Sequence, residues 1–321
     1  MVGFWSQLDD TTEIKRYFYM IDTIIHISLF LVMPPLILGV IAKTKAGFAG
    51  RKGPPLAQPY YDLARLFRKD MVISRTTTWL FRAGPVVGIT APLVACLFVP
   101  FGAIGAPLGF DGDLIFVIYL LGLSRFCTAV AALDTGSAFE GMGAAREVTF
   151  ACLVEPTVFF VLIVLVRLTG SFSLGGLFGP ALATGWHTAA PSLMLAIFCM
   201  LVVTLVENCR IPFDDPTTHL ELTMIHEVMV LDHSGPDFGM ILYGAAMKLL
   251  LLGAMTVGLA LPVSLGSAPL DAAVFALAML ILAVLIGVVE SVIARLPLLK
   301  VPQLLIGTSL LSFFALILLL R

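Results

Sequence analysis

The sequence predicts an all-α integral membrane protein with about eight transmembrane helices and amphipathic helices in its cytoplasmic loops. Of its 321 residues, 59% are hydrophobic and only 12% are charged, and the mean hydropathy is +1.03. A soluble globule of this size needs more polar surface. The apolar runs are continuous and do not alternate at every second residue, which favours helices over a β-barrel. Residues 1–321 are therefore expected to form a single polytopic membrane domain.

The individual spans follow from the length of the apolar runs, because a helix needs about 20 mostly apolar residues to cross a bilayer. The first run is too long for a signal peptide and contains Pro34-Pro35, so it is expected to be retained. The fourth and fifth runs are short and are bounded by Gly or Pro. The predicted spans are residues 21–41, 84–101, 114–133, 153–168, 192–206, 240–261, 272–292 and 301–320.

The distribution of Lys and Arg predicts the orientation. Residues 43–82 are rich in both, whereas residues 102–113 contain neither. Because cytoplasmic loops carry the excess of basic residues, the first of these loops is predicted to be cytoplasmic. The chain then lies in the cell inner membrane with both termini on the non-cytoplasmic side. The predicted cytoplasmic loops are residues 42–83, 134–152, 207–239 and 293–300.

Motifs for self-contained catalysis are missing from the sequence. The five cysteines show no Cys-x-x-Cys spacing, which argues against an iron–sulfur cluster on this chain. No phosphate-binding glycine loop, Gly-x-Ser-x-Gly elbow or His-Glu-x-x-His pair occurs. We therefore expect no catalytic residue, no metal site and no cofactor on this chain, and no nucleic-acid partner.

The first cytoplasmic segment has a break followed by an amphipathic pattern. Gly and Pro prevent a helix over residues 45–57, and then Tyr60, Leu63 and Leu66 can share one face. This pattern predicts a membrane-surface helix or a docking surface. The alternative is a positive-inside loop that lies on anionic lipid. The candidate docking residues are Arg51, Lys52, Gln58, Asp62, Arg65 and Arg68.

Ionisable residues also occur at membrane depth. Glu155 lies just inside the fourth span, Arg125 lies within the third, and Lys248 and Glu290 lie within the sixth and seventh. Charges at such depth are costly, so they are expected to face protein or water and to have partners. For Glu155, a proton path and a structural ion pair both remain open.

The third cytoplasmic segment, residues 207–227, combines carboxylates, imidazoles and a guanidinium between two apolar spans. Asp215-Pro216 resembles a helix start, and Thr218-x-x-Glu221 fits a capping box. A spacing of seven residues is too wide for two ligands of one ion, so a proton relay or a docking surface is favoured over zinc. The residues with this spacing are His219, His226 and His233.

Three ordered motifs carry a resemblance to a known family. Together they resemble the membrane subunit shared by respiratory complex I, where it is called subunit 1 or the H subunit, and by group 4 nickel–iron hydrogenases. Their order, their spacing and the eight-span layout match over nearly the whole chain. The motifs are Arg51-Lys-Gly-Pro with residues 58–69, Gly143-Ala-Ala-Arg146 followed by Glu155, and Glu207-Asn-Cys-Arg-Ile-Pro-Phe-Asp214.

Details within the family favour its hydrogenase branch. Residues 134–139 and 218–227 resemble formate hydrogenlyase subunit 4 and hydrogenase-4 component C. Of the acidic run near the quinone tunnel of complex I only Glu221 is kept, and Met229-Val230 stand where Glu-Tyr would be expected. This weakens a quinone site. Glu140 departs from the small residues of the hydrogenase group.

The resemblance implies the partners of this chain. They are nickel–iron hydrogenase large and small subunits, a ferredoxin-like iron–sulfur subunit and antiporter-like membrane subunits, with the nickel–iron site and the iron–sulfur clusters on those partners. The quinone-binding H subunit of a complex I-like enzyme and a stand-alone ion or solute carrier remain the alternatives.

The resemblance also implies roles for the charged residues. The basic first loop and the third segment would anchor a peripheral arm. Buried carboxylates, biased by arginines, would link electron transfer to proton or sodium movement. The candidate coupling residues are Glu140, Arg146, Glu155, Glu207, Arg210, Asp214, Asp215, His219, Glu221, His226, Glu227 and Lys248.

Overall fold

A computed structural model describes residues 2–214 and 224–320 of the chain, with side chains from residue 19 onward. Eight helices in this part of the chain are long and apolar enough to cross a membrane, which confirms the predicted fold class. Three short helices, α2, α6 and α8, lie between them. The helices are α1 (Val2–Phe48), α2 (Gln58–Phe67), α3 (Trp79–Cys96), α4 (Asp113–Asp134), α5 (Ala138–Thr169), α6 (Leu174–Leu177), α7 (Pro180–Glu207), α8 (His226–Met229), α9 (Gly235–Ala260), α10 (Ala268–Val292) and α11 (Val301–Leu320).

Helix α5 is much longer than the fourth predicted span. Its 32 residues extend about 48 Å, which exceeds the bilayer core of about 30 Å. Most of the predicted cytoplasmic loop 134–152 is therefore helical and continues directly into the span. Gly141 and Gly143 do not end the helix, because an interior glycine costs only about 1 kcal/mol and the contact with α8 offsets that cost.

The prolines of α1 create contacts with two other helices. Pro35 has no N–H to donate to the carbonyl of Leu31 four residues earlier, and the hydroxyl of Tyr243 on α9 donates to that oxygen at 2.7 Å. The hydroxyl of Tyr60 on α2 donates to the carbonyl of Val32, one residue further along. These two carbonyls beside the prolines thus join α1 to both α2 and α9.

Glycines allow α3 to pack closely between α4 and α9. A Cβ at Gly244 would lie 2.4 Å from the carbonyl oxygen of Gly88, so α9 and α3 touch through their backbones. A Cβ at Gly84 would lie 2.7 Å from that of Ala131 on α4. Small residues are what closely packed membrane helices use at their contacts. These contacts bring the polar residues of α4 and α9 to one place.

Helix α2 confirms the predicted amphipathic loop helix, and it packs against the start of α9. A Cβ at Gly239 would come within 3.3 Å of Leu66. The hydroxyl of Ser234 accepts a bond from the N–H of Val72 at 3.0 Å. The connection between α1 and α3 is therefore fixed to the beginning of the most deeply buried membrane-length helix of the described chain.

The contact between Gly244 and Gly88 can be tested by adding one methyl group. We expect Gly244→Ala to destabilise the protein by about 1–3 kcal/mol, because the helices must separate to accept the Cβ. Gly122→Ala is the matched control, since a Cβ there meets no described atom within 4 Å. Thermal unfolding in mild detergent measures both effects. Equal midpoints for the two variants would contradict the close packing of α3 and α9.

Candidate functional site

A buried charge network joins three membrane helices. Glu207, the last residue of α7, accepts from Nη2 of Arg125 on α4 at 2.8 Å. The same oxygen, Oε2, lies 2.8 Å from Nζ of Lys248 on α9. The side chains of Glu207, Arg125 and Lys248 are only 9%, 13% and 14% exposed. One carboxylate therefore binds two cations in a region shielded from solvent.

A polar cavity of about 60 Å³ lies beside this network. Arg125, Glu207 and Lys248 contribute to its wall, and Gly88 and Gly244 form the part where α3 meets α9. The volume has room for several water molecules, and the lining supplies them with hydrogen-bond partners. The other polar lining residues are Ser124, Thr128, Glu147, Asn208, Cys209 and His226.

Glu147, Cys209 and His226 form a second polar group in this cavity. The thiol of Cys209 donates to Oε2 of Glu147 at 3.4 Å. Burial raises the pKa of this thiol well above its usual value, and the negative charges of Glu147 and Asp214 raise it further. Burial likewise lowers the pKa of His226. At neutral pH the site therefore holds a thiol and a neutral imidazole.

Asp214 fixes the segment that carries His226. Its Oδ2 accepts from the backbone N–H groups of Ile225 at 2.9 Å and His226 at 3.3 Å. Its Oδ1 lies 3.0 Å from Nη2 of Arg295, in the segment after α10. The predicted site residues Asp215, His219 and Glu221 lie outside the described residues, as does the predicted capping box.

Glu290 on α10 forms a separate buried ion-pair group. Its carboxylate is completely shielded and lies 3.0 Å from Nζ of Lys45 and 3.4 Å from Nη1 of Arg210. Among the described residues, Arg210 therefore pairs with a carboxylate of α10, which was not among the candidate coupling residues. Through this group, α1 and α10 are linked to the turn that follows α7.

Three of the other predicted coupling residues lie away from the cavity. Glu140 is buried and accepts from the N–H of Asp232 at 3.2 Å. Arg146 donates to the carbonyl of Met224 at 3.0 Å and so holds the backbone just before α8. Glu155 is exposed on the described chain, and its charge acts on Arg125 of the network. It lies beside the buried stripe of α5 that includes Val154, about 100° further around the helix.

The histidines do not share one continuous helix within the described residues. Helix α8 ends at Met229, and His233 stacks on Phe81 of α3 with the ring centroids 3.9 Å apart. The spacing of seven residues, which is about two helical turns, therefore does not place His226 and His233 on one helix. The next carboxylate along, Glu227, is partly buried. Of the two described histidines with this spacing, His226 lines the polar cavity.

The predicted docking residues lie on the connection between α1 and α3. Oδ1 of Asp62 accepts from the side-chain amide of Gln58 and from Arg65, each at 3.1 Å, so these residues support α2 itself. Arg68 is exposed just after the helix, and Arg51 and Lys52 are exposed before it. These three cations are presented to the outside of the described chain.

Sequence reasoning missed the role of Glu147. It lies in a stripe of α5 with Gly143, Phe150 and Val154, all of which are buried. A glutamate at a buried helical position is a signal that the sequence did contain. Nothing near Cys209 in the sequence indicates its contact with Glu147 on α5.

Comparison with known proteins agrees with this architecture. A family described as NADH dehydrogenase matches residues 21–320. The chain belongs to this family. Hydrogenase-4 component C of Escherichia coli (strain K12) is 32% identical over 273 residues, which cover 83% of this chain and 85% of that protein. Formate hydrogenlyase subunit 4 of the same organism is 30% identical over 239 residues, covering 74% of this chain and 76% of that protein.

Two further proteins extend this likeness. The H subunit of NADH-quinone oxidoreductase from Syntrophotalea carbinolica is 28% identical over 267 residues, covering 73% of this chain and 77% of that protein. A chain of the membrane-bound sulfane sulfur reductase, an archaeal respiratory membrane complex, has a TM-score of 0.80 at 20% identity, covering 94% of this chain and 99% of that one. That second likeness shows the fold alone. The family resemblance found in the sequence is confirmed, and this chain is a membrane subunit of an energy-converting complex.

The charge network predicts a large effect of neutralising Glu207. We expect Glu207→Gln to destabilise the protein by about 3–5 kcal/mol, because Arg125 and Lys248 then remain buried without their carboxylate. Asp62→Asn removes the carboxylate of an exposed pair and should change stability by about 1 kcal/mol or less. Denaturation in detergent micelles compares the two variants. A similar, small effect for both would mean that Glu207 does not hold the cations together.

Because His233 is buried, we expect the folded protein to lose stability in acid. Burial lowers the pKa of His233 to about 4, so the fold holds the neutral imidazole. Stability from this residue is fully present above the unfolded pKa of about 6.5 and declines as the pH falls towards 4. Between pH 7 and pH 5 the decline is about 1–2 kcal/mol. His233→Phe should remove this part of the pH dependence of the unfolding midpoint, whereas His187→Phe, at an exposed position, should not.

Proposed function

We propose that this chain is the membrane-anchoring and coupling subunit of an energy-converting hydrogenase of the formate hydrogenlyase type. The observation that carries the proposal is the buried network of Arg125, Glu207 and Lys248 beside a polar cavity. Ionisable groups at membrane depth mark ion pathways and proton relays. The network is also next to the segment that the sequence predicts to be cytoplasmic, where a peripheral arm would dock.

The hydrogenase assignment is favoured over a quinone-binding one by two observations. Relatives of hydrogenase type reach 32% and 30% identity, compared with 28% for the H subunit of the NADH-quinone oxidoreductase. The cavity lined by the charge network, about 60 Å³, is also well below the range of about 300–1,000 Å³ for small-molecule sites, and the larger cavities of the described chain, about 380 and 300 Å³, are lined without any charged side chain. On this proposal, electrons pass to protons on a partner subunit, and no quinone enters this chain.

The proposed partners carry the redox chemistry. Nickel–iron hydrogenase large and small subunits and a ferredoxin-like subunit form the arm, with the nickel–iron site and the iron–sulfur clusters on them. Antiporter-like subunits lie alongside in the bilayer. The exposed cations Arg51, Lys52 and Arg68 face the arm on the cytoplasmic side, with both termini on the opposite side.

Coupling would proceed through the connections of α9 and of the segment after α7. A change of charge in the docked arm acts on the 224–234 segment, which Asp214 and Arg146 hold through its backbone. That segment carries His226 into the cavity beside Glu207 and Lys248. Changes in hydration there alter how strongly Glu207 binds Arg125 and Lys248. The strength of these ion pairs then controls proton or sodium movement.

The identity of the complex can be tested by recovering the tagged chain from its native membrane in mild detergent. We expect a nickel–iron large subunit to co-purify, together with hydrogen evolution from reduced viologen. Recovery with quinone-reductase subunits and without hydrogen evolution would replace this proposal with the complex I-like alternative. Recovery of the chain alone would favour a stand-alone carrier.

The coupling role predicts separable activities in the assembled complex. Glu207→Gln is compared with the wild type at equal amounts of assembled complex, because the substitution also destabilises this chain. In that complex it should leave viologen-driven hydrogen evolution within about twofold while abolishing ion movement into vesicles, since the redox chemistry is on the partners. Asp271→Asn is the matched control, because Asp271 is a buried carboxylate at the other end of α10 from Glu290. Full ion movement in Glu207→Gln would contradict the role of the network in coupling.

A further inference from the structure

Glu147, Cys209 and His226 bring three different metal-ligating groups together. They come from α5, from the turn after α7 and from α8, and their ligand atoms all lie within 4.8 Å of one another. Ligands of a tetrahedral zinc ion, with bonds of about 2.0–2.3 Å, lie on the order of 3.5 Å apart. The Sγ of Cys209 and Oε2 of Glu147 are already 3.4 Å apart. The imidazole of His226 needs to move only slightly closer to these two atoms for all three to bind one ion.

We propose that Glu147, Cys209 and His226 form a binding site for one zinc ion. A thiolate and an imidazole select zinc over magnesium or calcium, which prefer oxygen ligands. Three protein ligands of the sulfur, nitrogen and oxygen types match the sites in which zinc keeps a fourth, exchangeable position. This proposal departs from the expectation of no metal on this chain, because the ligands come from segments far apart in the sequence.

The surroundings of the three ligands offer a fourth. The cavity that they line has room for water, and Asn208 lines it too. The amide oxygen Oδ1 of Asn208 is buried and has no hydrogen-bond partner among the described residues. Buried polar atoms without a partner are rare in folded proteins. The oxygen, or a water that it binds, completes the coordination.

The charges in the cavity are compatible with a dication. Binding replaces the proton of Cys209 with the metal, so that a thiol and Zn²⁺ become a zinc-bound thiolate and a proton released to water. The thiolate and the carboxylate of Glu147 together neutralise the ion. The nearby cations Arg125 and Lys248 are each held by Glu207 at 2.8 Å, so a carboxylate already balances part of their charge.

The ion would join three segments that already contact one another. Helix α5, the turn after α7 and α8 would share one set of bonds, and the 224–230 segment would become more rigid. Binding to the folded state alone also stabilises it, by an amount that grows with the free metal concentration. The site requires no partner subunit, so it does not rest on the hydrogenase assignment.

Cobalt provides the direct test, because a cobalt–thiolate bond gives a charge-transfer absorption that zinc removes. The full chain is purified in mild detergent, stripped with a chelator and titrated with Co²⁺ and then Zn²⁺. We expect one equivalent of Co²⁺ to bind with this absorption and Zn²⁺ to displace it. Cys209→Ser should lose the absorption, and His226→Gln and Glu147→Gln should weaken binding by about tenfold or more.

Two control variants separate this site from surface binding. Cys152→Ser on α5 and His187→Gln on α7 change exposed residues outside the cluster and should leave the titration unchanged. If Cys209→Ser does not fold to a monodisperse protein, Glu147→Gln and His226→Gln decide instead. Titration without a thiolate absorption, or with wild-type affinity in the ligand variants, would overturn the proposal.

Discussion

The carboxylate of Glu207, shared between Arg125 and Lys248, determines how α4, α7 and α9 meet. Two cations at membrane depth are costly without a negative partner, so the three helices must converge where that partner is. The approach is possible because Gly88 and Gly244 let α3 and α9 touch through their backbones. Glycine packing and charge pairing therefore depend on each other, and the polar cavity is the space that remains between them.

The same constraint explains how an irregular backbone is accommodated after α7. Non-helical chain near the membrane is tolerated only where protein or water satisfies its polar groups. Here Asp214 accepts from two backbone N–H groups, Arg146 donates to the carbonyl of Met224, and the carbonyl of Pro212 accepts from the N–H of Leu296 at 2.9 Å. Asp214 and Arg146 thus hold the backbone of this segment in place beside the cavity.

The sequence predicted the spans well and the pairings poorly, for different physical reasons. Hydropathy is a local property, so the eight helices and the amphipathic α2 could be identified from composition and periodicity. An ion pair depends on which helices are neighbours, and this is why the contact of Arg210 with Glu290 on α10 could not be predicted. The exposure of Glu155 could not be predicted either, because the hydropathy of a span does not reveal which face of the helix is covered.

Helix α9 connects the proposed docking surface to the charge network. Ser234, just before α9, is hydrogen-bonded to Val72 of the first loop. Further along the helix, Tyr243 donates to the carbonyl of Leu31 on α1. One turn after Tyr243 it carries Lys248 to Glu207. On the proposed function, a partner that displaces the first loop would act on Lys248 along this helix, because no flexible segment lies between them. A displacement too small to break these hydrogen bonds would still change the distance between Lys248 and Glu207, and at short distance the electrostatic energy depends most steeply on position.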